Sequence, residues 1–339
     1  MNRTAFLRRL VLAGVVLGLC VVVFGAYVRL TYAGLGCPDW PGCYGHVTPL
    51  GAQAANAGTP DAPLQVGKAW REMIHRYAAS TLGLIIVVIA ALSIAWRRER
   101  QVPRAMPLLL VGLVLFQGLL GMLTVTWKVK PLIVTAHLAF GLLTVAVLWW
   151  LWLSLRPAAD APRPKSVPTG ATTLARRAAA IGLVALVIQI LLGGWTSTNY
   201  AAIACPDLPT CQAQWWPAAN FHDGFVLWRG LGQNYEGGVL DLAARVAIHL
   251  THRLGAIVAT LALLFAAFTT LRATRERASR DGASRGAAWA VLAALLLQLA
   301  IGTFMVLKAF PLGLATAHNA GAAALLLATL LLNRTLRIS

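Results

Sequence analysis

The chain has 339 residues, of which 58% are hydrophobic and only 12% are charged. An ordinary soluble domain carries about 25% charged residues, and a disordered basic protein is poor in apolar residues, so both classes are excluded. The 29 basic residues outnumber the 11 acidic ones and give a formal net charge of +18. This excess identifies a partner only when its placement along the chain is known.

Eight apolar segments are long enough to cross a bilayer, which requires about 20 residues in a helix. In chain order they span roughly 10–28, 77–96, 105–127, 132–155, 178–198, 246–271, 287–307 and 312–332. We therefore predict an all-α polytopic membrane protein with eight transmembrane helices.

Most of the basic residues lie on one side of these segments. The two tails and the loops after the second, fourth and sixth segments contain 19 Lys and Arg, which leaves 10 for the opposite side. Positive charge is retained in the cytoplasm, so we predict that both termini are cytoplasmic. The charge excess then reflects topology and contact with anionic lipid of the bilayer, and we expect no nucleic-acid partner.

The two halves of the chain repeat each other. Residues 25–43 and 193–211 both run from a helix end into a Cys-Pro-Asp-x-Pro-x-Cys loop, and residues 117–137 and 298–318 both end in Thr-Ala-His. We therefore predict that each half forms a four-helix bundle. Because four helices cross the membrane an even number of times, both bundles would start on the same side and would be parallel repeats. The predicted parts are an N-terminal half at 1–155, a cytoplasmic linker at 156–176 and a C-terminal half at 177–339.

Four of the seven histidines occupy repeated positions. They are His75 and His137 in the N-terminal half, and His252 and His318 in the C-terminal half. Each pair comes from the second and fourth helices of its half, near the outer side, so two imidazoles can bind one heme iron from opposite sides. Ionisable groups in membrane segments are costly and usually functional. The duplication therefore favours two heme-sized sites over interfacial histidines, and zinc fits less well because a third ligand is not obvious.

One position breaks the repeat. Glu72 lies three residues before His75 on the same helical face, whereas the corresponding residue of the second half is His249. Glu72 either forms an ion pair with Arg76 or handles protons beside a redox centre. His249 either helps to bind the second heme or tunes it. Arg76 and Arg253 are candidates for pairing with heme propionates, or they extend toward lipid headgroups.

Two cysteine pairs flank the repeated outer loops. Cys37 and Cys43 enclose the first loop, and Cys205 and Cys211 enclose its copy. Both loops are predicted to lie outside the cytoplasm, where disulfides persist. Two intraloop disulfides are the simplest pairing. Each pair either staples its loop or takes part in redox chemistry.

These residues together resemble the heme A synthase family, the membrane enzymes of cytochrome oxidase assembly. The resemblance covers nearly the whole chain, and it depends on the eight helices, the two Thr-Ala-His motifs, Glu72-x-x-His75-Arg76, His252-Arg253 and Cys37-Pro-Asp-Trp-Pro-Gly-Cys43. It implies an oxidoreductase that converts heme O to heme A by oxidising one ring methyl group to a formyl group.

The resemblance also implies roles for the sites. His75 and His137 would hold the substrate heme O with Glu72 as the catalytic acid, and His252 and His318 would hold a resident heme b. Cysteine pairs in both loops point to a bacterial member in the inner membrane, with its heme sites near the periplasmic side. The implied partners are a heme O synthase, a quinol- or thiol-linked electron donor and a second copy of the chain.

Two other functions remain open from the residues alone. A bis-His b-type cytochrome that transfers electrons from quinol would explain the four histidines but not the asymmetric Glu72. A transporter with histidine proton relays would place ionisable groups at the membrane midplane. The predicted depth of the histidines, near the outer rim, does not favour it.

Overall fold

The computed structural model describes residues 3–59, 63–96, 104–155, 170–276 and 282–338. Within these ranges the chain forms ten α-helices and no β-strand, apart from two isolated β-bridges. Most of the predicted linker (156–169) and parts of two predicted cytoplasmic loops (97–103 and 277–281) lie outside the described residues. The charge argument for orientation therefore stays a prediction.

Eight of these helices are long and apolar enough to cross a membrane, which confirms the eight predicted spans. They are α1 (Arg3–Leu30), α3 (Val66–Ala95), α4 (Ala105–Thr126), α5 (Pro131–Ser154), α6 (Gly170–Thr198), α8 (Leu242–Glu276), α9 (Gly282–Leu307) and α10 (Leu312–Ile338). Two short helices, α2 (Pro49–Ala54) and α7 (Phe221–Gly224), lie in the connections after α1 and α6. The chain is thus an all-α, multi-pass membrane protein.

The predicted starts of several helices are wrong. Helix α3 begins at Val66 instead of 77, and α6 begins at Gly170, inside the predicted linker. The sequence estimate followed only the apolar run, but a helix can extend beyond such a run when one of its faces packs against the protein and the other is polar. In α3 this face includes Ala69 and Met73, which are buried against the loop of Cys37 and Cys43.

His75 therefore does not lie at the start of its helix. Nine residues precede it in α3, which places it about 13 Å along the axis at a rise of about 1.5 Å per residue. The same extension makes Glu72 a helical residue that is only 5% exposed. The outer part of α3 is thus a packed scaffold for both side chains.

The eight long helices pack in two similar groups. In the first, α1 contacts α3 and α5, and α4 contacts α3 and α5; in the second, α6 contacts α8 and α10, and α9 contacts α8 and α10. The groups meet where α1 contacts α10 and α5 contacts α6 and α10. These are the neighbours expected from the sequence duplication. The arrangement as parallel repeats about one axis stays a prediction.

Each group has its own apolar core, while large apolar side chains also cover the outside. Leu110 and Leu148 are fully buried in the first core, and Leu263 and Leu332 in the second. Outward-facing leucines are highly exposed in the isolated chain, for example Leu115 at 70%. This apolar surface fits the hydrocarbon of a bilayer. No water is available there, so the backbone N–H and C=O groups must form hydrogen bonds within the protein, as they do in helices.

Polar contacts join the two groups near the end of the bundle that carries the disulfide loops. The hydroxyl groups of Thr135 on α5 and Thr198 on α6 are 3.1 Å apart. The rings of Tyr32 and Tyr200, which occupy equivalent positions of the repeat, stack with their centroids 5.7 Å apart. Arg29 of α1 donates a hydrogen bond to the carbonyl of Ser197, its own counterpart in the repeat.

Candidate functional site

A cavity of about 470 Å³ lies among α6, α8, α9 and α10. His252 and His318 both line it, so the structure brings together the two histidines predicted for the C-terminal half. Arg29 and Tyr32 also reach it, which means that the first group of helices contributes to its wall. The volume lies within the range of about 300–1,000 Å³ that is usual for small-molecule sites.

Each imidazole of this cavity rests directly on a helix backbone. A Cβ atom added at Gly193 on α6 would lie 3.1 Å from Cε1 of His252, and one added at Gly302 on α9 would lie 3.0 Å from Cε1 of His318. Both contacts are tighter than about nine in ten real Cβ contacts. The glycines therefore leave the space that the two rings occupy.

The N-terminal histidines have equivalent surroundings. A Cβ atom at Gly25 on α1 would lie 2.8 Å from Cε1 of His75, and one at Gly121 on α4 would lie 3.6 Å from Cε1 of His137. Glycines on α1 and α4 thus lie against the N-terminal rings, as glycines on α6 and α9 lie against the C-terminal rings. That His75 and His137 form one site stays a prediction.

Glu72 is held by the first disulfide loop and by its own helix. The backbone N–H of Cys37 donates to Oε2 of Glu72 at 2.9 Å. Arg76 donates to Oε1 at 2.6 Å, so the predicted Glu72–Arg76 ion pair is present. The carboxylate thus links the loop to the turn of α3 that carries His75.

The arginines beside the histidines bind loop carbonyls. Arg76 donates to the carbonyls of Asp39, Pro41 and Gly42. Arg253 donates to the carbonyls of Cys205, Asp207 and Thr210 at 3.0, 2.8 and 2.7 Å. In this structure each guanidinium therefore stabilises its outer loop. Pairing with propionates stays a prediction, and Arg253 is the one of the two that also lines the cavity.

His249 occupies the position of Glu72 in the second group but makes a different contact. Its Nδ1 is 3.1 Å from the carbonyl oxygen of Ala201. A carbonyl only accepts hydrogen bonds, so Nδ1 is the donor here. The residue is 5% exposed and lines the cavity with His252.

The two disulfide loops are built alike. Cys37 pairs with Cys43 and Cys205 pairs with Cys211, with S–S distances of 2.03 and 1.99 Å. The Asp39 carboxylate accepts backbone N–H bonds from Tyr44 and Gly45. The Asp207 carboxylate accepts them from Gln212 and Ala213, and hydrogen bonds from the Thr210 hydroxyl and then these amides lower the pKa of Asp207.

The donor set fits a planar iron macrocycle better than a free metal ion. Across the part of the chain that the structure describes, no three His, Cys, Asp or Glu side chains form a metal-binding group. Two imidazoles that line one mainly apolar cavity, each packed against a glycine, are instead side chains of the type that would hold a heme iron. Heme therefore fits the residues present.

Several residues of this site were not identified from the sequence. They include the glycines under the imidazoles and two glutamines, Gln189 and Gln298, which lie within hydrogen-bond distance of His252 and His318. A signal was available, because the repeated segments begin with Gly25, Gly193, Gln117 and Gln298. Gln189 had no such signal, since its counterpart in the repeat is Val21.

Comparisons with known proteins agree with this geometry. Residues 8–330 match the family described as Cytochrome oxidase assembly protein (COX15-CtaA). The chain is 41% identical over 319 residues to a Heme A synthase of Shewanella oneidensis, covering 93% of this chain and 92% of that protein. It is 29% identical over 341 residues to a Heme A synthase of Rhizorhabdus wittichii, covering 93% and 89%.

Proposed function

Because the chain belongs to the COX15-CtaA family of cytochrome oxidase assembly proteins, we propose that it is a heme A synthase. The reaction is the oxidation of one ring methyl group of heme O to a formyl group by successive hydroxylations. The relatives that match over most of the chain are named Heme A synthase, which favours this enzyme over an electron-transferring b-type cytochrome. Its product supplies cytochrome oxidase.

The observation that carries the proposal is the pair of imidazoles, His252 and His318, across one cavity, together with the equivalent pair of His75 and His137. We assign the substrate heme O to the N-terminal half (1–155) and a resident heme b to the C-terminal half (177–339), joined by the linker 156–176. The heme groups would supply the redox chemistry. The protein would supply ligands, orientation and proton transfer.

The asymmetry between the halves supports this assignment. Glu72 is a buried acid three residues from His75, and the equivalent position near His252 is His249. Only the N-terminal pair therefore has a carboxylate at that position. In the proposed enzyme Glu72 accepts protons from the reacting methyl group, and its bonds to Cys37 and Arg76 fix where the carboxylate lies. A cytochrome that only passed electrons would not need a proton acceptor at this position.

A pigment assay tests the function and the role of Glu72 together. The chain is co-expressed with a heme O synthase, and the extracted hemes are identified by mass. Wild type should accumulate heme A. Glu72→Gln should keep its bound heme but form the formyl product about 100-fold more slowly or worse, because general acid–base catalysis contributes roughly 10²–10⁴-fold.

The matched control is Glu236→Gln, which removes an acid from the connection between α7 and α8 and should leave the yield unchanged. Heme b alone in wild-type cells that contain heme O would favour the electron-transfer alternative. Normal heme A yield in Glu72→Gln would remove Glu72 from the mechanism without affecting the enzyme assignment.

We further place the enzyme in a bacterial inner membrane, with cytoplasmic termini and heme sites toward the periplasm. Support comes from the disulfide loops, since disulfides persist outside the cytoplasm, and from the hydrogen bonds that join each loop to the arginine directly after His75 or His252. A heme O synthase is the proposed supplier of substrate, a quinol- or thiol-linked donor the proposed electron source, and a homo-oligomer the proposed assembly. Labelling of an introduced terminal cysteine with a membrane-impermeant reagent, before and after lysis, tests the orientation.

A further inference from the structure

Each imidazole of the C-terminal pair lies against a glutamine side chain. Nε2 of Gln189 is 3.0 Å from Nδ1 of His252 and donates to the His252 carbonyl at 3.0 Å. Nε2 of Gln298 is 3.3 Å from both ring nitrogens of His318 and donates to the His318 carbonyl at 3.1 Å. Each amide thus joins a ring to the backbone of the same histidine.

Two glycines make room for these amides. Gly255 and Gly321 each lie three residues after a histidine, one on α8 and one on α10. A Cβ atom at Gly255 would collide with Oε1 of Gln189, and one at Gly321 would collide with Oε1 of Gln298. Glycine inside a helix costs about 1 kcal/mol relative to alanine, so this space has an energetic cost at both positions.

The N-terminal half lacks both glycines. The residues three positions after His75 and His137 are Ala78 and Phe140, and the counterpart of Gln189 is Val21. His75 therefore has no glutamine on α1 at the position that corresponds to Gln189. Phe140, three residues after His137, packs edge-on against Phe116, with the ring centroids 4.9 Å apart.

The consequence appears at the ring nitrogens. Gln117, the counterpart of Gln298, donates to the carbonyl of His137 at 3.0 Å. Nδ1 of His75 and Nδ1 of His137 are both buried, and neither has a hydrogen-bond partner among the described residues. The two pairs of histidines thus differ in the support of their rings, although the glycines beneath the rings are shared.

We propose that Gln189 and Gln298 are positioning residues that make the C-terminal site retain its heme, whereas the unsupported N-terminal rings allow exchange. This inference rests on the proposed function. A ring that binds iron through one nitrogen carries its proton on the other, and a partner there fixes the tautomer, orients the ring and raises ligand basicity. In this structure the contact to Nδ1 is made by the Gln189 Nε2 group, which donates. When Nδ1 carries the proton, rotation of the amide would bring the acceptor Oε1 to it, in exchange for the hydrogen bond to the His252 carbonyl.

Exchange at one site and retention at the other is what the proposed reaction needs. A substrate heme has to enter, and the product has to leave, at every turnover. A resident heme that left with similar ease would inactivate the enzyme. Loss of a supporting partner of a metal-bound histidine typically costs 10–100-fold in affinity, which is enough to separate the two behaviours.

The test uses the heme-loaded protein purified in detergent. Heme loss to an excess of apomyoglobin is followed in the Soret band, and the midpoint potential of the retained heme is measured by redox titration. Gln189→Met, which keeps the size but removes the amide, should lose the resident heme about 10–100-fold faster. Its potential should rise, since a less basic imidazole stabilises ferric iron less. Gln189→Glu, which restores an acceptor for Nδ1–H, should return the loss rate and the potential toward wild type.

Gln117→Met is the matched control, because its amide bonds to a histidine carbonyl and not to the Nδ1 of that ring. It should leave both readouts of the resident heme unchanged. Equal acceleration in Gln117→Met and Gln189→Met would show general loosening of the bundle and would overturn the inference. So would a Gln189→Met protein with wild-type loss rate and potential. A wild-type protein that binds no heme would overturn the proposed function as well, and the two failures are thereby distinguished.

Discussion

At the scale of single residues, the site depends on its glycines, which have no side chain, as much as on its histidines. Gly25, Gly193 and Gly302 leave the space in which the imidazoles of His75, His252 and His318 lie. A methyl group at any of these positions would push a ring out of place. A histidine at the right position is therefore not sufficient for the site. The backbone of a neighbouring helix must also come within contact distance of the imidazole ring.

Replacing Gly302 with Ala tests this requirement. The new Cβ would lie 3.0 Å from Cε1 and 3.4 Å from Nδ1 of His318, so we expect the ring to shift and the resident heme to be lost or to change its low-spin spectrum. Gly286→Ala on the same helix is the control, because nothing lies within 4 Å of its Cβ. That variant should keep the spectrum and gain up to about 1 kcal/mol from helix propensity. An unchanged spectrum in Gly302→Ala would contradict the steric role of this glycine.

Asp207 predicts a pH dependence of the second outer loop. Hydrogen bonds from the Thr210 hydroxyl and from backbone amides lower its pKa below the ordinary value of 3.8. A carboxyl with a lowered pKa in the folded state stabilises the loop above its ordinary pKa and loses this contribution as the pH falls through the folded pKa. The difference in Tm between wild type and Asp207→Asn should therefore be largest near neutral pH and should shrink below pH 4. A difference that is constant from pH 7 to pH 3 would argue against it.

At the scale of elements, the outer turns of α3 and α8 are equivalent in position but not in charge. In α3, Arg76 is bound both to loop carbonyls and to the buried carboxylate of Glu72. In α8, Arg253 is bound to loop carbonyls alone, with His249 where α3 has its acid. The first loop is thus coupled to an ion pair, and the second loop to a guanidinium that has no carboxylate at the equivalent position of its helix.

This difference predicts unequal effects of removing the two arginines. Arg76→Leu leaves a buried carboxylate without its partner, which typically costs about 3–5 kcal/mol. Arg253→Leu removes loop hydrogen bonds only, so its loss in thermal stability should be smaller. The double variant Glu72→Gln/Arg76→Leu should recover part of the loss, because no unpaired charge remains. Equal losses in Tm for the two single variants would show that the ion pair contributes little.

At the scale of the whole molecule, the predicted duplication compares two groups of helices that share some features and differ in others. Both halves keep two histidines, a disulfide loop and the glycines under the rings. The C-terminal half has an amide beside each ring, whereas Gln117 of the N-terminal half bonds only to a histidine carbonyl. The N-terminal half has an acid near its first histidine. These differences are the basis on which we propose different lifetimes and chemistry for the two sites.

Transfer of the amide to the N-terminal half tests this view of the molecule. The variant Val21→Gln/Ala78→Gly reproduces the pair formed by Gln189 and Gly255. We expect slower release of heme from the N-terminal site, a higher heme content of the purified protein and slower turnover. Val21→Leu/Ala78→Gly creates the same space without an amide and should behave as wild type in heme release. If both double variants release heme at the wild-type rate, the proposed origin of the different lifetimes is wrong.

Local patterns along the chain were sufficient for the eight spans, the four paired histidines and the two cysteine pairs. Apolar run length predicts a span because a bilayer has a fixed thickness, and a repeated motif marks equivalent positions whether or not their surroundings are known. The start of α3 could not be read in this way, since its first turns are helical through packing against the disulfide loop.

The residues that contact the histidines could be identified only from the folded structure. Gln189 and His252 are 63 residues apart, and Gln298 and His318 are 20 apart, so neither contact follows from spacing on one helix. Arg76 and Arg253 could have faced heme or lipid as well as the loop carbonyls that they bind. Such choices depend on which helices are neighbours and on how closely their backbones approach, because a hydrogen bond and a steric contact both act over only a few ångströms.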